Sequence, residues 1–117
     1  MTIQRGEVWW ADLDVPEDSE PGYRRPVLVV QDDMFNRSAV ATVIVLSLTS
    51  NLRHARVAGN VHVSRKVSRL RSDSIVNASQ LATISKSRLE ERVSVLPAAL
   101  MAEVDAGLKL VLGLDVE

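Results

Sequence analysis

The sequence has no cysteine among its 117 residues, and it has few aromatic residues. Without cysteine the chain can have no disulfide bond, no thiolate zinc site and no cysteine nucleophile. The aromatic residues are Trp9, Trp10, Tyr23 and Phe35. Because unstacked nucleic-acid bases commonly rest on aromatic rings, this chain offers few stacking positions. Tyr23 is the best candidate for stacking, whereas we expect Trp10 in the core.

Long apolar runs are absent as well. No run approaches the roughly 18–20 residues that cross a bilayer. The N-terminus also lacks the basic start, apolar run and small-residue cleavage site of a secretory signal. Apolar residues make up 46% of the chain and charged residues 25%, which is typical of a globular domain. We therefore expect a single domain, 1–117, in the cytoplasm and without membrane contact.

Several catalytic and ligand-binding signatures are missing. The sequence contains no GxxxxGKS/T or GxGxxG phosphate loop, no HExxH and no GxSxG. Its two histidines, His54 and His62, have no carboxylate between them, which is poor spacing for a metal pair. We therefore expect no metal and no cofactor. His54 remains of interest because it lies in a basic loop and imidazole is the usual proton carrier near neutral pH.

The net charge of −1 hides a strong asymmetry. Residues 1–23 contain six acidic residues against one basic residue, Arg5. Residues 51–72, which we call the basic stripe, contain no acidic residue and the following six basic residues: Arg53, Arg56, Arg65, Lys66, Arg69 and Arg71. A local basic stripe can attract phosphates even when the whole chain is nearly neutral. A solvated loop region is the alternative.

Hydrophobic patterning predicts several strands followed by one helix. Strands are expected at 6–14, 26–31, 42–48, 61–64 and 73–84, a helical turn at 33–38, and a helix at 97–112. In the first strand Val8, Trp10 and Leu13 are the inward candidates, and the segment 88–95 is ambiguous. Gly107 costs the helix about 1 kcal/mol relative to alanine unless something packs close to it. This order predicts a compact barrel closed by a helix.

Four segments carry a resemblance to a known family. They are 5–14 (RGEVWWADLD), 19–30 (SEPGYRRPVLVV), 43–51 (VIVLSLTSN) and 73–89 (DSIVNASQLATISKSRL). In this order they resemble the MazF/PemK family of toxin endoribonucleases from type II toxin–antitoxin systems. The resemblance implies an SH3-like β-barrel of the kind shared with the CcdB toxins, mainly β with a C-terminal helix. It also implies a symmetric dimer with an RNA groove at its interface.

The resemblance implies a reaction and two partners. The reaction is sequence-specific, metal-independent cleavage of single-stranded RNA by attack of the 2′-OH. It leaves a 5′-OH and a 2′,3′-cyclic phosphate or 3′-phosphate. Such cleavage needs a base for the 2′-OH, donors or a cation for the phosphoryl oxygens, and an acid for the departing 5′-oxygen. The implied partners are single-stranded RNA and a cognate antitoxin protein.

Three residues match catalytic positions of the family. Arg25, directly before Pro26, matches its catalytic arginine, and a guanidinium can fork onto two phosphate oxygens. Thr49 matches its catalytic threonine at a strand end. Glu20 lies where some members carry a glutamate proposed for proton transfer. The residues alone leave open a surface arginine, a threonine bonded to local backbone and an exposed loop glutamate.

Further residues are candidates for RNA contact. Gln80 and Ser79 fall where the family usually has Asp-Gln, and an amide there can read a base edge. Ser79 departs from the family's aspartate and Ala82 from an arginine, so no recognition sequence is carried over. The full set of RNA-binding candidates is Tyr23, Arg24, Asn36, Asn51, Arg53, Ser79 and Gln80.

Two alternatives use the same barrel. The first is a non-catalytic gyrase inhibitor like the CcdB toxins, whose binding depends on an aromatic residue near the C-terminus. This chain has no aromatic residue after Phe35, which argues against it. The second is a degenerate RNA-binding module without catalysis. Ser79 and Ala82 favour that module, whereas Arg25 and Thr49 disfavour it.

Overall fold

The strands and helices are described in a computed structural model that covers residues 2–13 and 23–114. The strands are β1 (Glu7–Asp12), β2 (Arg24–Val29), β3 (Thr42–Thr49), β4 (Val61–Val63), β5 (Ser74–Ser85) and β6 (Leu89–Val95). The helices are α1 (Asp33–Asn36), α2 (Arg65–Ser68) and α3 (Ala98–Leu112), with 3-10 helices η1 (Leu52–Arg56) and η2 (Lys86–Arg88). The strands pair antiparallel in the order β4-β5-β3-β2-β1-β6.

The predicted class, mainly β with a C-terminal helix, is confirmed. The predicted strands correspond to β1 to β5, and the helical turn at 33–38 is α1. The ambiguous segment 88–95 contains β6, which pairs with β1. The barrel that the sequence predicts is this six-stranded curled sheet with α3 packed against it. No helix in the described ranges is long and apolar enough to cross a membrane.

Both faces of the central strands are buried. Val8, Leu28 and Leu46 pack on the face that is covered by α3. Trp9 and Val27 pack on the opposite face, because successive side chains of a strand alternate between faces. The expectation that Trp10 lies in the core was wrong. Both faces of β1 carry apolar residues, so alternation in the sequence could not show which tryptophan is buried. The buried one is Trp9, which is 5% exposed.

A buried carboxylate ties β1 to β6. Glu7 is 1% exposed. Its Oε1 accepts from the Gln4 backbone N–H at 2.8 Å and from Trp9 Nε1 at 3.0 Å. Its Oε2 accepts from Arg92 Nη1 at 3.1 Å. Since each carboxylate oxygen has a donor, the charge is compensated and the edge of the sheet is held in place.

The backbone of helix α3 is in direct contact with the backbone of the loop before β4. The helix begins at Ala98, one residue later than predicted, because Pro97 has extended backbone and caps the N-terminus with its carbonyl. It ends at Leu112 and is followed by Gly113, whose φ of +69° is the left-handed cap that favours glycine. A Cβ on Gly107 would clash with the carbonyl of Gly59. The absence of a side chain at Gly107 therefore permits the contact between helix and loop.

Strand β5 contains a bulge opposite Ser47. Leu46 pairs with Leu81 and Leu48 pairs with Val76. An advance of two residues along β3 therefore corresponds to five residues along β5. The extra residues of β5 lie within 77–80. A bulge of this kind bends a strand and redirects its side chains. Here it turns the exposed residues of 77–80 toward the end of β3.

Candidate active site

Arg25 and Thr49 lie on neighbouring strands at the same end of the sheet. In the pairing of β2 with β3, Val27 stands opposite Ser47. Two further steps along each strand bring Arg25 opposite Thr49 on the same face. Two grooves open at this end of the sheet, and Arg25 and Thr49 line both of them. We call this pair the junction.

The first groove has a volume of about 680 Å³, and we call it the basic groove. Its lining residues are Trp10, Arg24, Arg25, Pro26, Leu48, Thr49, Ser50, Arg69, Leu70, Arg71, Ser72 and Ser74. Four of these described residues are arginines, and none of them is acidic. A concave surface of this composition attracts anions.

The four arginines of the basic groove are not equally available. Arg24 donates to Glu90 Oε1 at 2.8 Å and to Glu91 Oε1 at 3.2 Å. The hydrogen bond to Glu90 is the main reason why the pKa of Arg24 is raised above its usual value. The Arg24 guanidinium also lies 4.8 Å from the ring centroid of Trp10. Arg69 and Arg71, in contrast, are exposed and have no acidic partner among the described residues.

The loop that carries Arg69 and Arg71 has a strained residue. Arg69 has a φ of +64° in the left-handed region, where it caps α2. This conformation costs an L-residue with a side chain about 1–2 kcal/mol, and glycine usually occupies it. The loop is closed by Asp73, whose Oδ1 accepts from the Arg65 backbone N–H at 2.8 Å. That hydrogen bond holds the pKa of the Asp73 carboxyl below its usual value.

The second groove has a volume of about 540 Å³, and we call it the polar groove. Its lining residues are Leu13, Tyr23, Arg25, Ser47, Thr49, His54, Val57, Asn60, Asn77, Ser79 and Gln80. The β5 bulge supplies the last three of these, and η1 supplies His54. The lining offers amides, hydroxyls and an imidazole, which can both donate and accept hydrogen bonds.

Aromatic and hydroxyl contacts orient the junction. The Arg25 guanidinium lies 4.6 Å from the ring centroid of Tyr23, a cation–π contact that restricts its position. Thr49 Oγ1 accepts a hydrogen bond from the Asn51 backbone N–H at 3.1 Å. Because the hydroxyl oxygen accepts this bond, its own proton remains available for donation to a ligand. The junction thus presents one guanidinium and one hydroxyl donor.

Most of the predicted site residues meet here. Arg25, Thr49, Tyr23, Ser79 and Gln80 line the polar groove, and Arg24 lines the basic groove. Asn51 and Arg53 are exposed at the start of η1, where Asn51 Oδ1 caps the helix by accepting from the Arg53 N–H at 3.1 Å. They follow Thr49 closely but line neither groove. Glu20 lies outside the described residues.

The placement of Asn36 corrects its assignment as an RNA contact. Asn36 is 7% exposed, its Oδ1 accepts from Gln31 Nε2 at 3.0 Å, and its Nδ2 donates to the Gln31 carbonyl at 2.9 Å. Asn36 also precedes β3, whereas Thr49 is the last residue of β3. At the usual rise per strand residue the two ends of β3 are roughly 23 Å apart. The buried amide therefore stabilises the turn after β2. The short polar sequence around Asn36 did not predict that its side chain is buried.

Sequence reasoning missed several residues of the two grooves. Trp10 was expected in the core, and Asn60 and Asn77 were not singled out. His54, which the sequence analysis singles out because it lies in the basic stripe, is exposed in η1 and lines the polar groove. The same stripe contains Arg69 and Arg71, but sequence alone could not separate them from its other bases. No cluster of three or more potential metal ligands occurs within residues 2–13 and 23–114.

The fold and the site define a class: a small β-rich protein with an arginine–threonine junction between a basic groove and a polar groove. The model of the family described as PemK-like, MazF-like toxin of type II toxin-antitoxin system matches residues 4–112. The chain belongs to this family. Endoribonuclease MazF2 of Mycobacterium bovis and endoribonuclease MazF6 of Mycobacterium tuberculosis are each 48% identical to it over 97% of this chain and 100% of their own length.

A solved structure supports the same relationship. It is an endoribonuclease from a mycobacterial species in complex with its cognate antitoxin. This chain is 25% identical to it with a TM-score of 0.80, and the match covers 98% of this chain and 99% of the other. The similarity extends over the whole sheet and α3, so the two grooves lie within the shared fold.

Proposed function

We propose that this endoribonuclease toxin cuts single-stranded RNA at a phosphate bound between Arg25 and Thr49, in the cytoplasm and without a metal. The observation that carries the proposal is the position of these two residues at the border of both grooves. A strand that passes from one groove to the other must cross the junction. Its phosphate there meets a guanidinium and a hydroxyl at once.

The junction can stabilise the charge that develops when the RNA 2′-OH attacks phosphorus. The Arg25 guanidinium can donate two hydrogen bonds to phosphoryl oxygens. The Thr49 hydroxyl, whose oxygen accepts a hydrogen bond from the Asn51 N–H, can donate a third hydrogen bond to the phosphoryl oxygens. Such preorganised donors are commonly the largest single contribution to catalysis. The products are a 5′-OH and a 2′,3′-cyclic phosphate or 3′-phosphate.

The two grooves suit different parts of the RNA. Arg69 and Arg71 in the basic groove can hold backbone phosphates, which gives affinity without reading sequence. Ser79 and Gln80 in the polar groove can hydrogen-bond base edges, and Tyr23 can stack a base. Recognition of a short sequence is therefore assigned to the polar groove. Asn51, Arg53 and Glu20 remain proposals as flanking contacts, with Glu20 as a further candidate for proton transfer.

We also propose that two copies form a symmetric dimer and that a cognate antitoxin blocks the grooves. The solved mycobacterial relative is described in complex with its antitoxin. The basic stripe gives an acidic segment of a partner a complementary surface. A single domain spanning 1–117 likewise stays a prediction, supported by the family match over 4–112.

The proposal is tested by incubating the protein with a long unstructured RNA in EDTA and sequencing the cut ends. We expect cuts at one short motif, with 5′-OH ends, and a loss of at least about 100-fold in rate for Arg25→Ala, the size seen when one transition-state donor is removed. Arg37→Ala is the matched control, because Arg37 is an exposed arginine at the end of α1. It should cut like the wild type.

Three results would contradict the proposal. One is cleavage that requires magnesium, and another is full activity in Arg25→Ala. The third is RNA binding without cleavage by a folded protein, which would favour the degenerate binding module.

A further inference from the structure

We propose that His54 is the general base of the cleavage reaction and takes the 2′-OH proton on Nε2. This inference rests on the proposed function. His54 is exposed in η1, and it lines the polar groove together with Arg25 and Thr49. A base at this place stands beside the junction where the scissile phosphate is expected to bind.

A chain of hydrogen bonds determines which imidazole nitrogen carries the proton. Asn60 Oδ1 accepts from the Ala78 backbone N–H at 2.9 Å, and Asn60 Nδ2 donates to the His54 carbonyl at 3.0 Å. These two backbone groups fix the orientation of the Asn60 amide. Asn60 Nδ2 also donates to Asn77 Oδ1 at 2.8 Å. The Asn77 atom that faces His54 Nδ1, at 3.3 Å, is therefore an acceptor.

An acceptor opposite Nδ1 keeps the proton of the neutral ring on Nδ1. Nε2 then has a free lone pair, which is the form that a general base requires. Asn77 is well suited to hold the ring, since it is 6% exposed and cannot turn freely in its packed surroundings. Asn77 and Asn60 are thus positioning residues, and His54 is the residue that touches substrate.

The described lining of the polar groove contains no competing base of similar strength. It has no carboxylate, and its other ionisable groups are Tyr23 and Arg25. A guanidinium has no acceptor for a proton, and a phenol hydroxyl is a poor proton acceptor, whereas a neutral imidazole has a basic nitrogen lone pair. Arg53 and Arg56 are the other basic residues of η1, and on the neighbouring strand β4 His62 pairs with Asp73 at 3.4 Å. Glu20 is the remaining candidate base, and the test below includes it.

The proton that the 2′-OH gives up is returned to solvent by the end of the reaction. The 2′-oxygen forms a bond to phosphorus as its proton passes to Nε2 of His54, and the bond from phosphorus to the 5′-oxygen breaks. The departing oxygen takes a proton from water in the open groove. The imidazolium returns its proton to the resulting hydroxide, so the protein ends in its starting state.

The test compares His54→Gln, His54→Ala and Glu20→Gln with the wild type in single-turnover cleavage of one RNA between pH 5 and 8. His62→Gln is the matched control, because His62 is the other exposed histidine and pairs with Asp73 at 3.4 Å outside both grooves. We expect His54→Gln to cut at least about 100-fold more slowly, the usual contribution of a general base. The wild-type rate should rise with pH through the imidazole range, and this rise should be lost in His54→Gln but kept in Glu20→Gln.

Two further readouts separate a base from a structural residue. Added imidazole should restore part of the activity of His54→Ala, because a small base can enter the open groove. Binding of an RNA analogue with a 2′-deoxy group at the cut site should stay within about threefold of the wild type in both His54 variants, an effect below 1 kcal/mol. A purely structural role would weaken binding and would not respond to imidazole.

The outcomes distinguish this inference from the proposed function. If the wild type cuts and His54→Gln cuts with the same rate and pH profile, the inference is overturned and the ribonuclease stands. If the pH-dependent rise disappears in Glu20→Gln and persists in His54→Gln, Glu20 is the base instead. If the wild type itself makes no cut, the proposed function fails and the inference fails with it.

Discussion

The basic groove and the polar groove share Arg25 and Thr49, and serines line both, but the rest of their linings differ. The first adds arginines and a tryptophan, and the second adds amides, a tyrosine and a histidine. Charge gives affinity that falls with salt, whereas neutral donors and acceptors distinguish one base from another. Under the proposed function, this difference assigns phosphate attraction and base recognition to separate surfaces that meet at Arg25 and Thr49.

The largest effect outside Arg25 is expected at the other shared residue. Thr49→Val keeps the shape of the side chain and removes the donor to the phosphoryl oxygen. Loss of one such donor lowers kcat about 100- to 1,000-fold, or roughly 3–4 kcal/mol. Single-turnover cleavage in EDTA measures it, and Thr49→Ser should recover most of the rate. Equal activity of the valine variant would remove Thr49 from the mechanism and leave the junction with Arg25 alone.

A remote change should damage one groove and spare the other. In Gly107→Ala the new Cβ meets the Gly59 carbonyl, which must move together with the neighbouring Asn60. Overpacking of this kind costs about 1–3 kcal/mol, which exceeds the gain in helix propensity of about 1 kcal/mol. Urea denaturation should show a net loss of stability. The cleavage rate should fall as well, because Asn60 belongs to the polar groove.

Ala106→Gly is the matched control for that change, since Ala106 is the exposed neighbour of Gly107 in α3. It should lose about 1 kcal/mol by helix propensity alone and leave the cleavage rate unchanged. If Gly107→Ala altered the salt dependence of RNA binding but not the cleavage rate, the assignment of the loop to the polar groove would be wrong.

The smallest expected effect lies in the basic groove. Arg69→Gly should stabilise the fold by up to about 1 kcal/mol, because glycine adopts the left-handed conformation at no steric cost. The same change should weaken RNA binding, since one phosphate contact is removed. Thermal unfolding and RNA titration on the same sample measure both. Arg69→Lys separates the effect on stability from the effect on RNA binding, because it keeps both the positive charge and the left-handed backbone strain.

Much of the fold could be predicted from sequence, because strand-forming runs and one amphipathic helix are local patterns. The resemblance also named Arg25 and Thr49, which the β2–β3 register brings together. Other features depend on contacts between distant parts of the chain. The bulge of β5, the buried amide of Asn36 and the contact of His54 with Asn77 across 23 residues leave no local signal. The choice between Trp9 and Trp10 also required the packing of both faces.

The most direct test of the separation between grooves compares Arg71→Ala with Gln80→Ala in two measurements, the salt dependence of RNA binding and the sequence of cut sites. Arg71→Ala should reduce the slope of log K against log salt by about 0.7, the value for one phosphate contact on a single strand, and should keep the wild-type motif. Gln80→Ala should keep the slope and relax the motif at one position. A relaxed motif in Arg71→Ala together with a changed slope in Gln80→Ala would contradict the account.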